Sequence, residues 1–466
     1  MISDLRFDSS EVALFAGSRQ RLITYRELGF LVEAHCDLLR RIPRPAVAFQ
    51  FAPNSVSAIA AYLACLAEKI PLGLGGPALT TRNRIIAAYR PTTLILARTE
   101  SAPEGYECIG EPTGSEMAIW RRRRGGYPVV PHPDLALLLA TSGTLGDPKF
   151  VRLTEANLTA NALSIAKYLS LGHGERAILG LPMHHSYGLS IVNSHLESGG
   201  SVALTEHAYS RPEFWKIADE CACTSFSGVP YMYEKLRSLG MTPVDCPTVR
   251  TLTQAGARLR VELVRHFLES VGRKRGRMFV MYGQTEASPR ISYVPPERLA
   301  EKPDSIGVAI PGGELWLEPV EGEPSEQQIH YKGPNVMLGY AYGPDDLAKG
   351  DEQKGVLATG DLGEKDGEGF FRITGRLGRE VKLHGKRVDL GRLESELEKT
   401  FGFRTAIISV DDRLRVHIEN TAADAPQKIR LHLSCLLGVP LTATLATSRA
   451  QIPLTASGKK DYKSLQ

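Results

Sequence analysis

Over roughly its first 305 residues the chain alternates helix-like and strand-like segments, and no other feature narrows its fold as much. Tyr25 to Arg40 carries apolar residues at helical spacing, with Thr24 placed to cap them. Residues 45–51 are a short apolar run, as a buried strand requires. Ser55 to Ala67 is small and apolar and predicts a tightly packed helix, Thr81 to Tyr89 a further helix, and Thr93 to Ala97 a strand. The rhythm continues through Asn157 to Leu169, Ala177 to Leu181 and Ser201 to Thr205. Helices between short buried strands imply parallel sheets covered by helices.

After about residue 305 the texture changes. Gly312-Gly313, Gly322, Gly333-Pro334, Gly339, Gly360 and Gly367 punctuate short strands from Gly307 to Thr374, which predicts a compact β-rich subdomain. A polar helix at Leu390 to Lys399 then opens a mixed α+β tail. The expected fold is therefore α/β. A large N-terminal domain spans residues 1–376, with mostly parallel sheets, helices and a β-rich subdomain at about 305–374. A small α+β domain follows at 377–466.

Composition excludes little but points one way. Apolar residues make up 42% and charged residues 23% of 466, an ordinary globular balance that argues against disorder. A net charge of +4 gives no support for nucleic-acid binding, and Arg121 to Arg124 beside Gly125-Gly126 is expected to be a solvated loop edge. No apolar stretch reaches the length of a membrane span, and the early charges at the N-terminus do not suit a signal peptide. Seven scattered cysteines without a Cys-x-x-Cys pair suggest reduced thiols in a cytoplasm.

The chemistry is concentrated in a few loops. An apolar strand at Leu135 to Ala140 runs straight into Thr141, Ser142, Gly143, Thr144, Leu145, Gly146, Asp147, Pro148 and Lys149. Hydroxyls and Gly amides there can donate to phosphate oxygens, and Lys149 adds positive charge near leaving phosphates. The spacing is not that of a Walker loop. Tyr282-Gly283-Gln284-Thr285-Glu286 combines an aromatic face, a hydroxyl and a carboxylate; Thr359-Gly360-Asp361 precedes Gly375-Arg376; and Gly458-Lys459 follows Pro453 and Thr455.

Taken in order, these segments resemble the stations of the adenylate-forming superfamily: acyl-CoA and aryl-CoA ligases, carrier-protein-loading adenylation domains and luciferases. The loop at 141–150 matches that family's Thr-Ser-Gly-Thr-Thr-Gly-x-Pro-Lys-Gly except for Leu145 and Phe150. The resemblance implies that Tyr282 stacks on adenine, Thr285 bonds the α-phosphate and Glu286 holds Mg²⁺. It implies that Asp361 and Arg376 bond the ribose hydroxyls, and that Gly256 and Ala257, in a turn where Ala255 replaces a family glycine, lie along the nucleotide. Lys459 matches the lysine that stabilises charge on the α-phosphate and pyrophosphate during adenylation, with Lys460 at a variable position. Lys382 would face the site during the second half-reaction. The hinge between the two half-reactions falls at Gly378, where the family usually has Asp or Lys. The segment after it is short for the family, which supports adenylation more than thioester formation.

Residues 181–189, Leu-Pro-Met-His-His-Ser-Tyr-Gly-Leu, resemble the family's acyl-pocket segment, with His185 on the family histidine. Amino-acid-activating members carry Asp there to pair with the substrate ammonium, so His185 disfavours an α-amino acid and favours a fatty, aryl or small aliphatic acid. Ser190, Ser194, His195, Phe226, Ser227 and Ser292 are candidate pocket residues. The implied activity is ATP- and Mg²⁺-dependent formation of an acyl-AMP, then transfer to the thiol of coenzyme A or of a carrier protein's phosphopantetheine arm. Two alternatives stay open at this level: a ligase with a nitrogen nucleophile, and a nucleotide-binding partner protein without catalysis. Intact Lys459, Glu286 and Asp361 count against the latter.

Overall fold

A computed structural model describes residues 7–17, 21–140, 149–321, 323–377, 379–383, 386–410, 413–419, 423–455 and 458–465. The chain divides into two compact units. The first is Met1–Leu315 with Tyr331–Leu357; the second is Trp316–His330 with Ala358–Gln466.

Two mixed sheets organise the first unit. One has nine strands, in the order Val308–Ala309, Arg290–Tyr293, Arg277–Gly283, Thr251–Gln254, Ser225–Gly228, Arg176–Leu179, Ser201–Leu204, Val12–Ala16 and Arg21–Thr24. The six strands from Arg277–Gly283 to Val12–Ala16 pair in parallel, and antiparallel strands close both edges. The other has eight strands, in the order Gly339–Ala341, Phe150–Thr154, Leu135–Ala140, Leu72–Gly75, Ala48–Phe51, Thr93–Ala97, Met117–Arg122 and Tyr106–Gly110. Its parallel centre, Leu135–Ala140 to Thr93–Ala97, is likewise flanked by antiparallel strands. The expected parallel cores are therefore present, with hairpin edges that the periodicity does not show.

Helices join the two sheets. Tyr25–Leu39 packs on the nine-stranded sheet and Val56–Ala67 on the eight-stranded one, and these helices pack on each other. Glu155–Leu169 and Ser186–Glu197 repeat the arrangement. Val56–Ala67 can lie in that double layer because it is small and apolar all round; residues 57–66 are all buried. Thr24 caps its helix as expected: its side chain accepts from the Glu27 amide while Glu27 accepts from the Thr24 amide. Two expected helices begin earlier than the pattern indicates, at Leu79 and Glu155.

The second unit holds most of the sheet Glu314–Val320, Glu323–Lys332, Val356–Lys365 and Phe371–Arg376, and the chain passes between the units within three of these strands. Its three-stranded sheet, Thr405–Val410, Arg413–Glu419 and Thr444–Arg449, carries the helices Leu390–Phe401 and Ala425–Leu437 around Leu397, Ile407, Val416, Ile429 and Leu433. Compactness groups Trp316–His330 and the strand residues from Ala358 to Arg376 with the C-terminal unit, and the expected hinge, Gly378, lies outside the described residues.

Arg121 and Arg122 end a strand instead of edging a loop. Arg121 pairs with Glu107, and Arg122 bonds the carbonyls of Arg90, Gly125 and Gly126. All seven cysteines are unpaired. No described helix is long and apolar enough to cross a membrane.

Candidate active site

The strand Arg277–Gly283 delivers Tyr282 and Gly283 to a sharp turn at Thr285–Ala287. Gly283 is obligatory there, because a Cβ would lie 1.8 Å from the Pro289 carbonyl oxygen. Buried amides hold the turn. Asn335 Nδ2 donates to the carbonyls of Ala287 at 2.6 Å and Arg290 at 2.8 Å, while the Ser288 hydroxyl donates to the Asn335 carbonyl at 2.7 Å. Nothing in the sequence patterning marks Asn335; its role follows from the two carbonyls it gathers.

Thr285 Oγ1 lies 3.2 Å from Ser186 Oγ, at the start of the helix Ser186–Glu197 whose N-cap residue is His185. The two stations 181–189 and 282–286 therefore meet. Asn54 orders the first of them: its Nδ2 donates to the Leu181 carbonyl and its Oδ1 accepts from the Met183 amide. Gly188 allows the close fold-back, since a Cβ would lie 2.2 Å from the Pro182 carbonyl oxygen. Burial and the neighbouring His185 ring push His184 down to about 4, so it is neutral at physiological pH.

Glu286 accepts a 2.8 Å hydrogen bond at Oε1 from the Tyr340 hydroxyl, and Lys149 Nζ stands 3.3 Å above the Tyr340 ring centroid. Tyr340 thus gathers the loop lysine and the turn carboxylate. It belongs to the edge strand Gly339–Ala341, paired with Phe150–Thr154 just after Lys149, which is why a residue so distant in sequence arrives here. Glu286 makes no ion pair with a described residue, and no described cluster of three metal-binding side chains exists. One carboxylate with a free oxygen suits Mg²⁺, which is commonly held by one or two carboxylates together with substrate phosphates. Thr141, Ser142, Gly143 and Thr144 lie outside the described residues.

Gly256 adopts φ +98°, a left-handed conformation that favours glycine, and the buried Gln254 donates to the Ala257 carbonyl at 2.7 Å, fixing that turn. Tyr282 accepts at its hydroxyl from Gln284 Nε2 at 3.1 Å.

In the second unit Asp361 and Arg376 are direct partners on antiparallel strands, with Oδ1 and Nη1 3.5 Å apart. Asp361 is buried while the Arg376 side chain is exposed. Lys459 and Lys460 differ sharply. Lys460 Nζ is held by Glu394 Oε2 at 2.9 Å and Glu398 Oε1 at 2.8 Å, in a cluster with Arg379 and Tyr462. Lys459 is exposed. Lys382 lies in the hairpin strand Glu380–Leu383, opposite Arg387.

Of the expected pocket residues, Ser190, Ser194, His195 and Ser227 line one cavity. Phe226 and Ser292 do not. Phe226 alternates to the opposite face of its strand and packs on Phe214, Trp215 and Tyr233, and the Ser292 hydroxyl donates to the Ile306 carbonyl.

Residues 6–341 match the AMP-binding enzyme family. The chain belongs to that family. Among its relatives, a feruloyl-CoA synthase from Amycolatopsis sp is 30% identical over 60% of this chain and 57% of its own length. A long-chain-fatty-acid–CoA ligase from Bacillus subtilis is 34% identical over 53% of this chain and 45% of its own length. The chain thus spans about half the length of the curated relatives it matches. The fold is shared with o-succinylbenzoate CoA synthetase from Bacillus subtilis in complex with its acyl-adenylate intermediate, at TM-score 0.73, 21% identity and coverage of 97% and 94%. ATP-bound MatB from Rhodopseudomonas palustris gives TM-score 0.77, 22% identity and coverage of 98% and 95%.

Proposed function

We propose that this AMP-binding enzyme activates a carboxylic acid with ATP and Mg²⁺ and then transfers the acyl group to the thiol of coenzyme A. In the first half-reaction a carboxylate oxygen attacks the α-phosphorus and pyrophosphate leaves. In the second, a thiolate attacks the acyl carbon and AMP leaves. The observation that carries the reading is the junction at Tyr340, which sets the Lys149 ammonium and the Glu286 carboxylate on one phenol, beside the Thr285–Ser186 contact.

Each residue then has a task. Lys149 offsets phosphate charge, and the Thr285 hydroxyl donates to a non-bridging oxygen of the α-phosphate. Glu286, oriented by Tyr340, holds Mg²⁺, which supplies charge neutralisation on the phosphates. Tyr282 supports the adenine ring, Gly256 and Ala257 border it, and Asp361 and Arg376 bond the ribose. Thr141, Ser142, Gly143 and Thr144 donate to the phosphates. His185 borders the reacting carboxylate. Lys459 serves adenylation and Lys382 the thiol step, with the C-terminal segment moving about Gly378. That Lys460 is occupied by two carboxylates supports Lys459 as the reactive lysine of the pair.

Coenzyme A is favoured as acceptor because the curated relatives are CoA ligases by name. A carrier protein's phosphopantetheine arm is the alternative thiol. Seven unpaired cysteines fit a cytoplasmic location. Acid-dependent pyrophosphate release over an acid panel tests activation, and product mass spectrometry with coenzyme A, carrier protein and amines tests the acceptor. An amide product would replace the thiol reading, and ATP binding without turnover would leave only a nucleotide-binding protein.

A further inference from the structure

Arg290 is 2% exposed and forms no ion pair with any described residue. Its Nε has no hydrogen-bond partner. The guanidinium lies 4.9 Å from the Tyr187 ring centroid and lines a small cavity of about 20 Å³. A guanidinium stays protonated at any physiological pH, so it cannot escape burial by losing its charge. A buried cation without a counter-charge is costly and calls for an explanation.

The rest of the cavity wall is mixed: Ile165, Leu169, Leu171, Ile191 and Met281 are apolar, and two of its polar groups are incomplete. Ser225 Oγ and His195 Nε2 are buried without partners. His195 Nδ1 lies 2.9 Å from the Ile191 carbonyl, which places the ring proton on Nδ1 and leaves Nε2 as an acceptor for a hydroxyl or a water. Tyr187, Thr253 and Ser227 form a hydroxyl chain along one side, with successive contacts of 2.8 Å.

The cavity is also next to the candidate site. Arg290 pairs in register with Gly283, Met281 precedes Tyr282, and Tyr187 follows the Ser186 that meets Thr285. An acid whose reacting carboxylate sits at Thr285 and whose chain enters this cavity would place its other end near Arg290.

We infer that the acid activated by this enzyme is a short one carrying a second ionised oxygen group, a carboxylate or sulfonate, which Arg290 and Ser225 receive in this cavity. This rests on the acid-activation reading above. With it, the buried cation gains its counter-ion from the substrate, and neutral chains are rejected because they leave Arg290 uncompensated.

The test compares pyrophosphate release with malonate, succinate, glutarate and 3-sulfopropionate against propionate, butyrate, hexanoate, octanoate and benzoate. Wild type should favour one of the doubly charged acids by about tenfold or more in kcat/KM, and Arg290→Gln should lower that preference by about tenfold, chiefly through KM. A neutral-chain or aromatic acid as best substrate would overturn the inference while leaving acid activation intact. So would an Arg290→Gln variant that loses activity equally with both classes, which would place Arg290 on the reacting carboxylate. Thermal unfolding of wild type gives a readout that needs neither turnover nor the variant. The preferred diacid should raise Tm more than its monoacid counterpart at matched ionic strength, and equal effects contradict the inference. A panel in which no acid releases pyrophosphate would count against the activation reading, and diacid-specific stabilisation would still decide whether Arg290 receives an anion.

Discussion

Tyr340 donates a 2.8 Å hydrogen bond to Glu286 while its ring carries the Lys149 ammonium. The hydroxyl fixes the carboxylate and the face fixes the cation, so the two tasks are separable by mutation. Tyr340→Phe keeps the ring and frees Glu286. Outer-shell partners of metal-binding carboxylates are typically worth about ten- to a hundredfold in metal affinity or activity. The Mg²⁺ concentration for half-maximal pyrophosphate release should rise accordingly in Tyr340→Phe. An unchanged Mg²⁺ titration would remove Tyr340 from the metal site.

Asp361→Ala should weaken ATP binding about ten- to a hundredfold, the worth of a charge-assisted hydrogen bond to the ribose at about 1.5–3 kcal/mol. Its pairing with Arg376 is long at 3.5 Å and half open to water, so little stability should be lost. Calorimetric titration of ATP alongside a melting curve separates the two effects.

The adjacent lysines should fail in different ways. Lys460→Ala leaves Glu394 buried with Arg379 as its remaining ionic partner, and Glu394 is held below its ordinary range by Lys460 and Arg379 despite burial. Breaking a buried pair of this kind costs about 3–5 kcal/mol, less here because Arg379 remains. Urea unfolding should show that loss. Lys459→Ala should fold normally and lower acid-dependent pyrophosphate release about a hundredfold or more. It should spare conversion of a supplied acyl-AMP to thioester. Equal loss in both half-reactions would argue for a fixed C-terminal segment.

Acidification should destabilise the first unit. Burial pushes His195 down to about 4 from its ordinary 6.5, and His184 likewise. The folded chain keeps these rings neutral while the unfolded chain protonates them, so stability present above pH 6.5 is lost as pH falls toward 4. Each ring contributes a slope of at most about 1.4 kcal/mol per pH unit. Urea unfolding at pH 7 and pH 5 should show the loss, and His195→Asn should make it shallower.

Much of this was legible in the sequence because it is local. Thr24 and Ser55 cap their helices from one position away, and buried strands such as Leu135–Ala140 are continuous apolar runs. The turn at Gly283 and the close approach at Gly188 are written as glycines next to chemistry-bearing residues. What could not be read is what the topology brings in from afar. Tyr340 reaches Lys149 through a three-residue edge strand, Asn335 gathers carbonyls nearly fifty residues upstream, and Asn54 orders Leu181 and Met183. Arg290 stands out only once its burial and its unpartnered Nε are known.

The central claim is that this chain converts an acid and ATP to an acyl-adenylate. Incubation with Mg²⁺, ATP and the acid panel, without any thiol, measures it directly through mass spectrometry of the enzyme-bound nucleotide fraction and simultaneous pyrophosphate detection. Acyl-AMP and pyrophosphate in equal amounts, from one acid class and abolished in Lys459→Ala, is the predicted result. Nucleotide bound as unreacted ATP with every acid, or hydrolysis that does not depend on acid, would contradict it.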